Sequence, residues 1–301
     1  MGVALACGVL VTAVSIGHES DSSDHEEPPK GPYVALGDSY TSGPKIPPQT
    51  GDPAGCDRSG RNYPALVAKE LGLKTADFRD VSCSGATLTD LASPQSTDNG
   101  TNPAQLSALS ATTKLVTLGI GGNDIGFSSM ITKCVTTGVL FKMADNVADI
   151  SDKAPCAQRY SSGGTDKVAR KISTTGARLT RALNEIKRRA PEARVYVVGY
   201  PAILPARKDA DCSDEIPLAP GDMTFLHQKE QQLNTMLRER ASAAGATYVD
   251  TFAPSIGRDA CSPASTRWIE PLRPSSPAAV VHPNERGERG MATAVVSVLK
   301  G

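Results

Sequence analysis

The sequence predicts an α/β protein: a five-stranded parallel sheet with helices on both faces, forming a single three-layer α/β/α domain. Three observations lead there. Short apolar runs that end in glycine or polar residues alternate with longer stretches whose apolar residues recur at helical spacing. Such alternation produces βαβ crossovers, and crossovers build parallel sheets covered on both faces. The chain has 301 residues, 39% of them hydrophobic and 21% charged, which suits one large folded core and not a disordered chain.

The elements follow in chain order. Tyr33 to Ser39 (Tyr-Val-Ala-Leu-Gly-Asp-Ser) is an apolar run closed by a glycine and a polar pair, and reads as the first strand. Arg61 to Leu71 is a helix through Leu66, Val67 and Leu71. Phe78 to Cys83 is a weaker strand, and Pro103 to Leu109 a turn or two of helix. Lys114 to Gly119 is a buried strand. Phe127 to Gly164 shows no strand and carries Cys134 and Cys156, so it reads as an irregular insertion tied over the site by a disulfide. Asp166 to Arg189 places Val168, Ile172, Leu179, Leu183 and Ile186 on one helical face, and Pro191 closes it. Arg194 to Gly199 is the clearest strand, Asp222 to Ala244 a long helix stopped by Gly245, Thr247 to Phe252 the fifth strand, and Glu285 to Leu299 the last helix. Five strands of this kind suit a doubly wound, flavodoxin-like order, in which ligands sit beyond the carboxyl ends of the strands.

Residues 1–17 resemble a signal peptide: Val3 to Gly17 is apolar and broken by small residues, too short to span a membrane. The basic stretch that usually precedes such a core is missing, because only Met1 and Gly2 come before it. Residues 18–32, rich in Ser, Asp, Glu and Pro, read as a linker, and the domain is expected over 33–301. The expected location is therefore secreted. Attachment to the cell envelope through Cys7 is the variant, although Ala4 is a poor residue three places before a lipoprotein cysteine. Setting Cys7 aside leaves six cysteines, at 56, 83, 134, 156, 212 and 261. In an exported protein an even set suggests disulfides, with buried thiols as the alternative. No C-x-x-C pair and no His/Cys cluster points to zinc. Lys+Arg 32 against Asp+Glu 32 gives no net charge, and aromatics are 4%, which argues against nucleic acid as a partner.

The strand ends carry the chemistry. A serine at a strand-to-helix turn, as in Gly37-Asp38-Ser39-Tyr40, can present its hydroxyl above the sheet beside helix-start N–H groups, which suits a nucleophile. The G-x-S-x-G pattern fails because position 41 is Thr, and Asp38 and Ser39 could equally serve as caps. Gly85, after the second strand, could expose its N–H to a substrate oxygen or simply be a turn glycine. Gly119-Ile120-Gly121-Gly122-Asn123-Asp124 fails the dinucleotide pattern at Asp124 and instead delivers an amide, Asn123, suited to a developing oxyanion; the alternative is a turn asparagine. Of the four histidines, His18 and His25 fall in the linker and His227 in mid-helix. His282, before Pro283 and the last helix, is the one placed to act as a base, or else is a helix-entry residue.

Together these signals resemble the SGNH (GDSL-type) hydrolases, over a match running from about Tyr33 to the C-terminus. They are most similar to secreted actinobacterial lipases and esterases, through Gly37-Asp38-Ser39-Tyr40, the six cysteines and Arg267-Trp268 before Pro271-Leu272. The resemblance implies Ser39 as nucleophile and His282 as general base. It implies an oxyanion hole from the Ser39 and Gly85 N–H groups and the Asn123 side chain, a flavodoxin-like fold, and no cofactor or metal. Many members carry Asp three residues before the His; here Ala279 stands there. The expectation is a Ser–His dyad whose imidazole is oriented by the Ala279 backbone carbonyl, with Glu270 and Asp259 as distant carboxylate alternatives. Spacing leaves the cysteine connectivity open. Sequential pairing is expected, Cys56–Cys83, Cys134–Cys156 and Cys212–Cys261: the first pair brackets a strand–helix unit, the second closes the insertion, and the resemblance points the same way. The function so implied is a secreted carboxylic-ester hydrolase, a lipase or esterase working through a serine acyl-enzyme on a small-molecule or lipid ester, monomeric and in transient contact with a lipid interface. A phospholipase, a carbohydrate O-deacetylase and a catalytically silent flavodoxin-like binding module are the alternatives.

Overall fold

In the computed structural model, which describes residues 1–2, 28–145, 154–161, 164–206, 212 and 214–301, the apolar runs pair into one parallel sheet. The signal-like run, most of the linker, Cys7, His18 and His25 lie outside the described residues.

In chain order the strands are β1 (Tyr33–Gly37), β2 (Phe78–Asp80), β3 (Gln95–Thr97), β4 (Gly100–Asn102), β5 (Leu115–Gly119), β6 (Arg194–Val198) and β7 (Thr247–Val249). The helices are α1 (Ser39–Ser42), α2 (Tyr63–Glu70), α3 (Leu88–Ala92), α4 (Gly122–Ile125), α5 (Phe127–Asp145), α6 (Pro155–Tyr160), α7 (Lys167–Arg189), α8 (Pro220–Ala243) and α9 (Glu285–Lys300). The five-stranded sheet runs β2-β1-β5-β6-β7, all parallel. Its five strands in sequence order thus stand 2-1-3-4-5, the flavodoxin-like arrangement, and the order reverses between β1 and β5.

Successive strand residues face opposite layers, so each strand feeds two cores. Val34, Leu36, Val116, Leu118, Val195 and Val197 pack against α7 and α8 through Leu179, Leu183, Leu233 and Leu237. Tyr33, Ala35, Leu115, Tyr196 and Val198 pack against α2 and α9 through Tyr63, Val67, Met291 and Val295. Each fully buried Leu or Val of these layers contributes about 1.5–3 kcal/mol. The helix starts are chemically marked. Asp166 accepts the Val168 and Ala169 N–H groups at 3.0 and 2.9 Å, and Asn284 caps α9 through Arg286 and Gly287, both at 3.0 Å. Pro220 opens α8, where a missing N–H costs nothing.

Two departures from the sequence reading have physical causes. The second strand stops at Asp80, because the Asp80 carboxylate captures the Ser82 N–H at 2.9 Å; the chain nonetheless stays beside β1 through Val81 and Cys83, whose N–H groups each bond a β1 carbonyl at 3.0 Å. The segment expected to be an irregular insertion is helical where described. Phe127, Met130, Ile131 and Cys134 stand at i, i+3, i+4 and i+7, and all four are buried. The β3–β4 hairpin and α3, with its Thr87/Asp90 capping box, were not foreseen.

Disulfides join Cys56 to Cys83, Cys134 to Cys156 and Cys212 to Cys261. The second ties α5 to α6, and the buried Asp222 of α8 caps α6 by accepting the Cys156 and Ala157 N–H groups at 3.0 and 2.8 Å. Replacing both Cys134 and Cys156 by serine should lower unfolding free energy by about 3 kcal/mol, the chain-entropy value for a loop of this size. Denaturant melts of the two proteins measure it, and a loss near zero would mean that α8 alone holds the segment.

Candidate active site

β1 ends at Gly37, and the next peptide turns into α1 with Asp38 as its cap, accepting the Tyr40 N–H at 2.9 Å. The Asp38 N–H bonds the Gly119 carbonyl at 2.9 Å, so the turn stays stitched to β5. This sets the Ser39 hydroxyl above the carboxyl edge of the sheet, at the reversal of strand order.

His282 reaches it from the other end of the chain, its Nε2 lying 2.8 Å from Ser39 Oγ. Nδ1 lies 2.8 Å from the Val280 carbonyl. A carbonyl only accepts, so Nδ1 holds the proton and the Nε2 lone pair accepts the serine O–H. The orienting carbonyl expected at Ala279 is therefore one residue further on. The Ala279 carbonyl is occupied by the His282 backbone N–H at 3.3 Å, while Val281, forced to a positive φ of 59°, folds the chain so that the Val280 carbonyl meets the ring. Tyr40 secures this loop by donating its hydroxyl to the Val281 carbonyl at 2.6 Å. Burial, together with the positive charge of Lys45, holds the imidazole below its usual pKa despite the opposing Val280 bond.

Neither carboxylate considered from sequence bonds the ring. Glu270 accepts from Asn284 Nδ2 at 2.7 Å and from the Ser275 N–H at 2.7 Å. Burial alone would raise its pKa, but these donors outweigh it and hold the carboxyl below its ordinary value. Asp259, raised by burial, accepts the Cys261 N–H at 2.9 Å. Glu270 instead braces the histidine loop, exchanging backbone hydrogen bonds with His282 and Val281 at 3.0 and 2.9 Å. Trp268 does likewise: its carbonyl accepts the Asn284 N–H at 2.8 Å, and its indole lies where a Cβ on Gly290 would collide with it. His227 is buried in α8 with Nδ1 3.2 Å from the Leu204 carbonyl and makes no hydrogen bond to Ser39 or His282.

Asn123 lies in the first turn of α4 and donates from Nδ2 to the Ala86 carbonyl at 2.9 Å, which brings the loop after β5 against the Gly85 turn. The amide has two N–H bonds, and this one leaves the second for a ligand. Gly85 is exposed and has a φ of +79°, which an L side chain adopts only under strain. Among the described residues, no acceptor takes the N–H of Ser39 or of Gly85. Beside Ser39 and Asn123 opens a small pocket, walled by Phe127, Ile203 and Leu233 and by the buried carboxyl of Glu230. Burial raises that carboxyl well above its usual pKa. No group of His, Cys, Asp or Glu able to hold a metal occurs among the described residues.

One residue escaped the sequence reading. Tyr200 stands just beyond β6 and donates its hydroxyl to Asp38 Oδ2 at 2.5 Å while accepting the Gly122 N–H at 2.8 Å. A tyrosine after a strand carries no signal of such a role in the sequence. Burial pushes the Asp38 carboxyl up to about 7, against the Tyr200 and Tyr40 hydrogen bonds that pull it down.

A strand-end serine paired with a helix-entry imidazole, on a doubly wound sheet, defines a serine hydrolase of the α/β/α class. Known proteins narrow it further. The model of the GDSL-like lipase/acylhydrolase family matches residues 35–289, and the chain belongs to that family. It is an ester hydrolase of the lipase and esterase type. Among curated relatives it is similar to Lipase 2 of Streptomyces coelicolor, at 41% identity over 93% of this chain and 91% of the relative. Among solved structures it is similar to phospholipase A1 from Streptomyces albidoflavus (29% identity, TM-score 0.71, 89% of this chain and 99% of that one). It is also similar to the extracellular lipase of Streptomyces rimosus (27% identity, TM-score 0.69, 88% and 98%).

The imidazole geometry sets a spectroscopic expectation. In long-range ¹H–¹⁵N spectra His282 should show the Nδ1–H tautomer when neutral, and should titrate below the usual histidine value of about 6.5. Because the shift is downward, the neutral, proton-accepting form persists to lower pH than in a free histidine. An Nε2–H tautomer, or titration above that value, would contradict the arrangement.

Proposed function

We propose that the protein is an exported carboxylic-ester hydrolase that forms an acyl-enzyme on Ser39. The carrying observation is the relay Val280 C=O, His282 and Ser39 Oγ, each link 2.8 Å long. His282 takes the serine proton as Ser39 attacks the ester carbonyl, then gives that proton to the leaving alcohol. Water enters, His282 accepts its proton, and the same sequence frees the acid. The oxyanion formed in both halves is received by the Ser39 and Gly85 N–H groups and the free N–H of the Asn123 amide. The Val280 carbonyl fills the position that an acid holds in a full triad. It fixes the tautomer but adds no charge opposite the imidazolium.

The apolar side chains next to Ser39, Phe127, Ile203 and Leu233, suit contact with the acyl part of an ester. Similarity to a phospholipase A1 supports a phospholipid ester as the second substrate reading. Export is supported by the apolar run at Val3 to Gly17, by the disulfides and by an extracellular relative.

Two substitutions test the assignment. Ser39→Ala should abolish labelling by a fluorophosphonate probe while circular dichroism stays unchanged, and labelling that persists would move the nucleophile elsewhere. Asn123→Ala should fold and lose ~10²–10³ in kcat, as deletion of one oxyanion donor does elsewhere. A loss under a few-fold would reduce Asn123 to a residue that only holds the Ala86 carbonyl. An ester panel of varied acyl length, phospholipid included, reads the substrate class.

A further inference from the structure

We infer that Tyr200 is a positioning residue that locks the Ser39 turn to the Asn123 loop and so sets the spacing of the oxyanion donors. The inference rests on the proposed chemistry of Ser39 and Asn123.

The two halves of that donor set come from different strands. Ser39 follows β1, and Asn123 follows β5 by way of a glycine run, Gly119 to Gly122 with Ile120 between. Glycines give that run freedom, so something outside it must fix where Asn123 stands. The Tyr200 hydroxyl is the group in place. It accepts the N–H of Gly122, the residue directly before Asn123, at 2.8 Å. It donates to Asp38, the residue directly before Ser39, at 2.5 Å. A phenol has one proton to give, so accepting from Gly122 and donating to Asp38 uses the oxygen in one defined direction. Gly122 lies against the ring, where an added Cβ would stand 3.1 Å from the phenol oxygen.

Tyr200 is itself held from behind. Asn234 of α8 accepts the Tyr200 N–H at 2.8 Å and donates to its carbonyl at 2.9 Å, a two-point clamp on a buried backbone. Its ring meets Tyr40 edge-on at 5.1 Å, and Tyr40 in turn lies 4.8 Å from the His282 ring. The phenol, on a loop clamped to α8, therefore reaches over the crevice to both loops. Donors that must converge on one oxygen lose their effect when misplaced; an error of about 1 Å in such geometry costs roughly 10²-fold in rate. The bridge places donors that meet an oxyanion only as its charge develops, so its contribution falls on the transition state and not on ester binding.

Tyr200→Phe keeps the ring, the Asn234 clamp and the contact with Tyr40, and removes the bridge alone. It should lower kcat by about tenfold to a hundredfold and leave KM within about twofold, the pattern of an interaction that acts only in the transition state. Affinity for an alkylboronic acid, whose tetrahedral serine adduct occupies the same donors, should fall by a similar factor. Fluorophosphonate should still label the same fraction of the protein. Asp38→Asn removes the acceptor of the phenol proton from the other end, since an amide whose oxygen keeps the Tyr40 N–H turns its NH2 to the phenol. The double variant should then lose no more than the worse single one. A fall in labelled fraction or melting temperature, with kcat per labelled site unchanged, would make Tyr200 a structural residue only and overturn the inference. So would a higher KM at unchanged kcat, or additive losses in the double variant. If Asp38→Asn does not fold, the Tyr200→Phe kinetics and boronate affinity decide alone. Wild-type behaviour of Tyr200→Phe alongside a dead Ser39→Ala rejects this inference only. Persistent labelling of Ser39→Ala rejects the Ser39 assignment beneath it.

Discussion

Two backbones run too close together for side chains at the carboxyl ends of β1 and β5, and the site depends on that approach. Gly37 and Gly119 are partners in the register. A Cβ on Gly37 would stand 2.6 Å from the Gly119 carbonyl and collide with Thr41, and a Cβ on Gly119 would stand 2.6 Å from the Thr41 hydroxyl. With both side chains absent, the Asp38 N–H bonds the Gly119 carbonyl and carries the ladder one residue past the strand. Buried Gln105 closes the remaining edge, accepting the Gly37 N–H at 2.8 Å and donating to its carbonyl at 2.9 Å. The sheet order reverses at this pair, so the following helices depart to opposite faces and leave a crevice between them. Ser39 and Asn123 stand on its two sides because of where the strands stop.

Burial governs the carboxyls around the site. Glu230 beside the crevice and Glu288 beneath α2 are buried, and burial raises both well above their ordinary values. Each receives a backbone N–H, from Ile203 at 3.0 Å and from Tyr63 at 2.7 Å, which limits the cost of leaving water. The imidazole is supported by a carbonyl and not by a carboxylate. A carboxylate would favour the charged imidazolium and raise its pKa. A carbonyl favours the tautomer without that charge, and burial then carries the pKa downward. In the proposed mechanism the base is consequently weaker but stays unprotonated over a wider range of pH.

Much of the fold was legible because its signals are local. Strands such as Leu115–Gly119 and Arg194–Val198 are continuous apolar runs, and α7 shows its buried face in the spacing of Val168, Ile172, Leu179, Leu183 and Ile186. Ser39, Gly85, Asn123 and His282 were singled out as candidates by asking which residues with a donor or a base stand at strand ends or helix starts. α5 was missed although Phe127, Met130, Ile131 and Cys134 form a helical stripe, because cysteines in a segment without strands suggested a tied loop. The imidazole's acceptor was misplaced by one residue because the left-handed turn at Val281 is not encoded by a glycine there. Tyr200 was invisible because its role consists of two contacts more than seventy residues away in sequence, and a tyrosine after a strand carries no local mark.

The bonds that shape the site run between loops and not within them. Tyr40 of the β1 loop holds the histidine loop at the Val281 carbonyl, Asn123 of the β5 loop holds the β2 loop at the Ala86 carbonyl, and Tyr200 of the β6 loop holds both the β1 and β5 loops. Each is a hydrogen bond worth about 1 kcal/mol net, small against the burial that stabilises the two layers. Losing one leaves the sheet, the helices and the disulfides in place, while the relative position of two loops becomes free. Precision and stability are therefore carried by separate interactions in this molecule: apolar layers on the two faces of the sheet keep it folded, and a few phenol and amide contacts at its carboxyl edge keep five loops in register. Substitutions at the second set should reach the rate of reaction long before they reach the melting temperature.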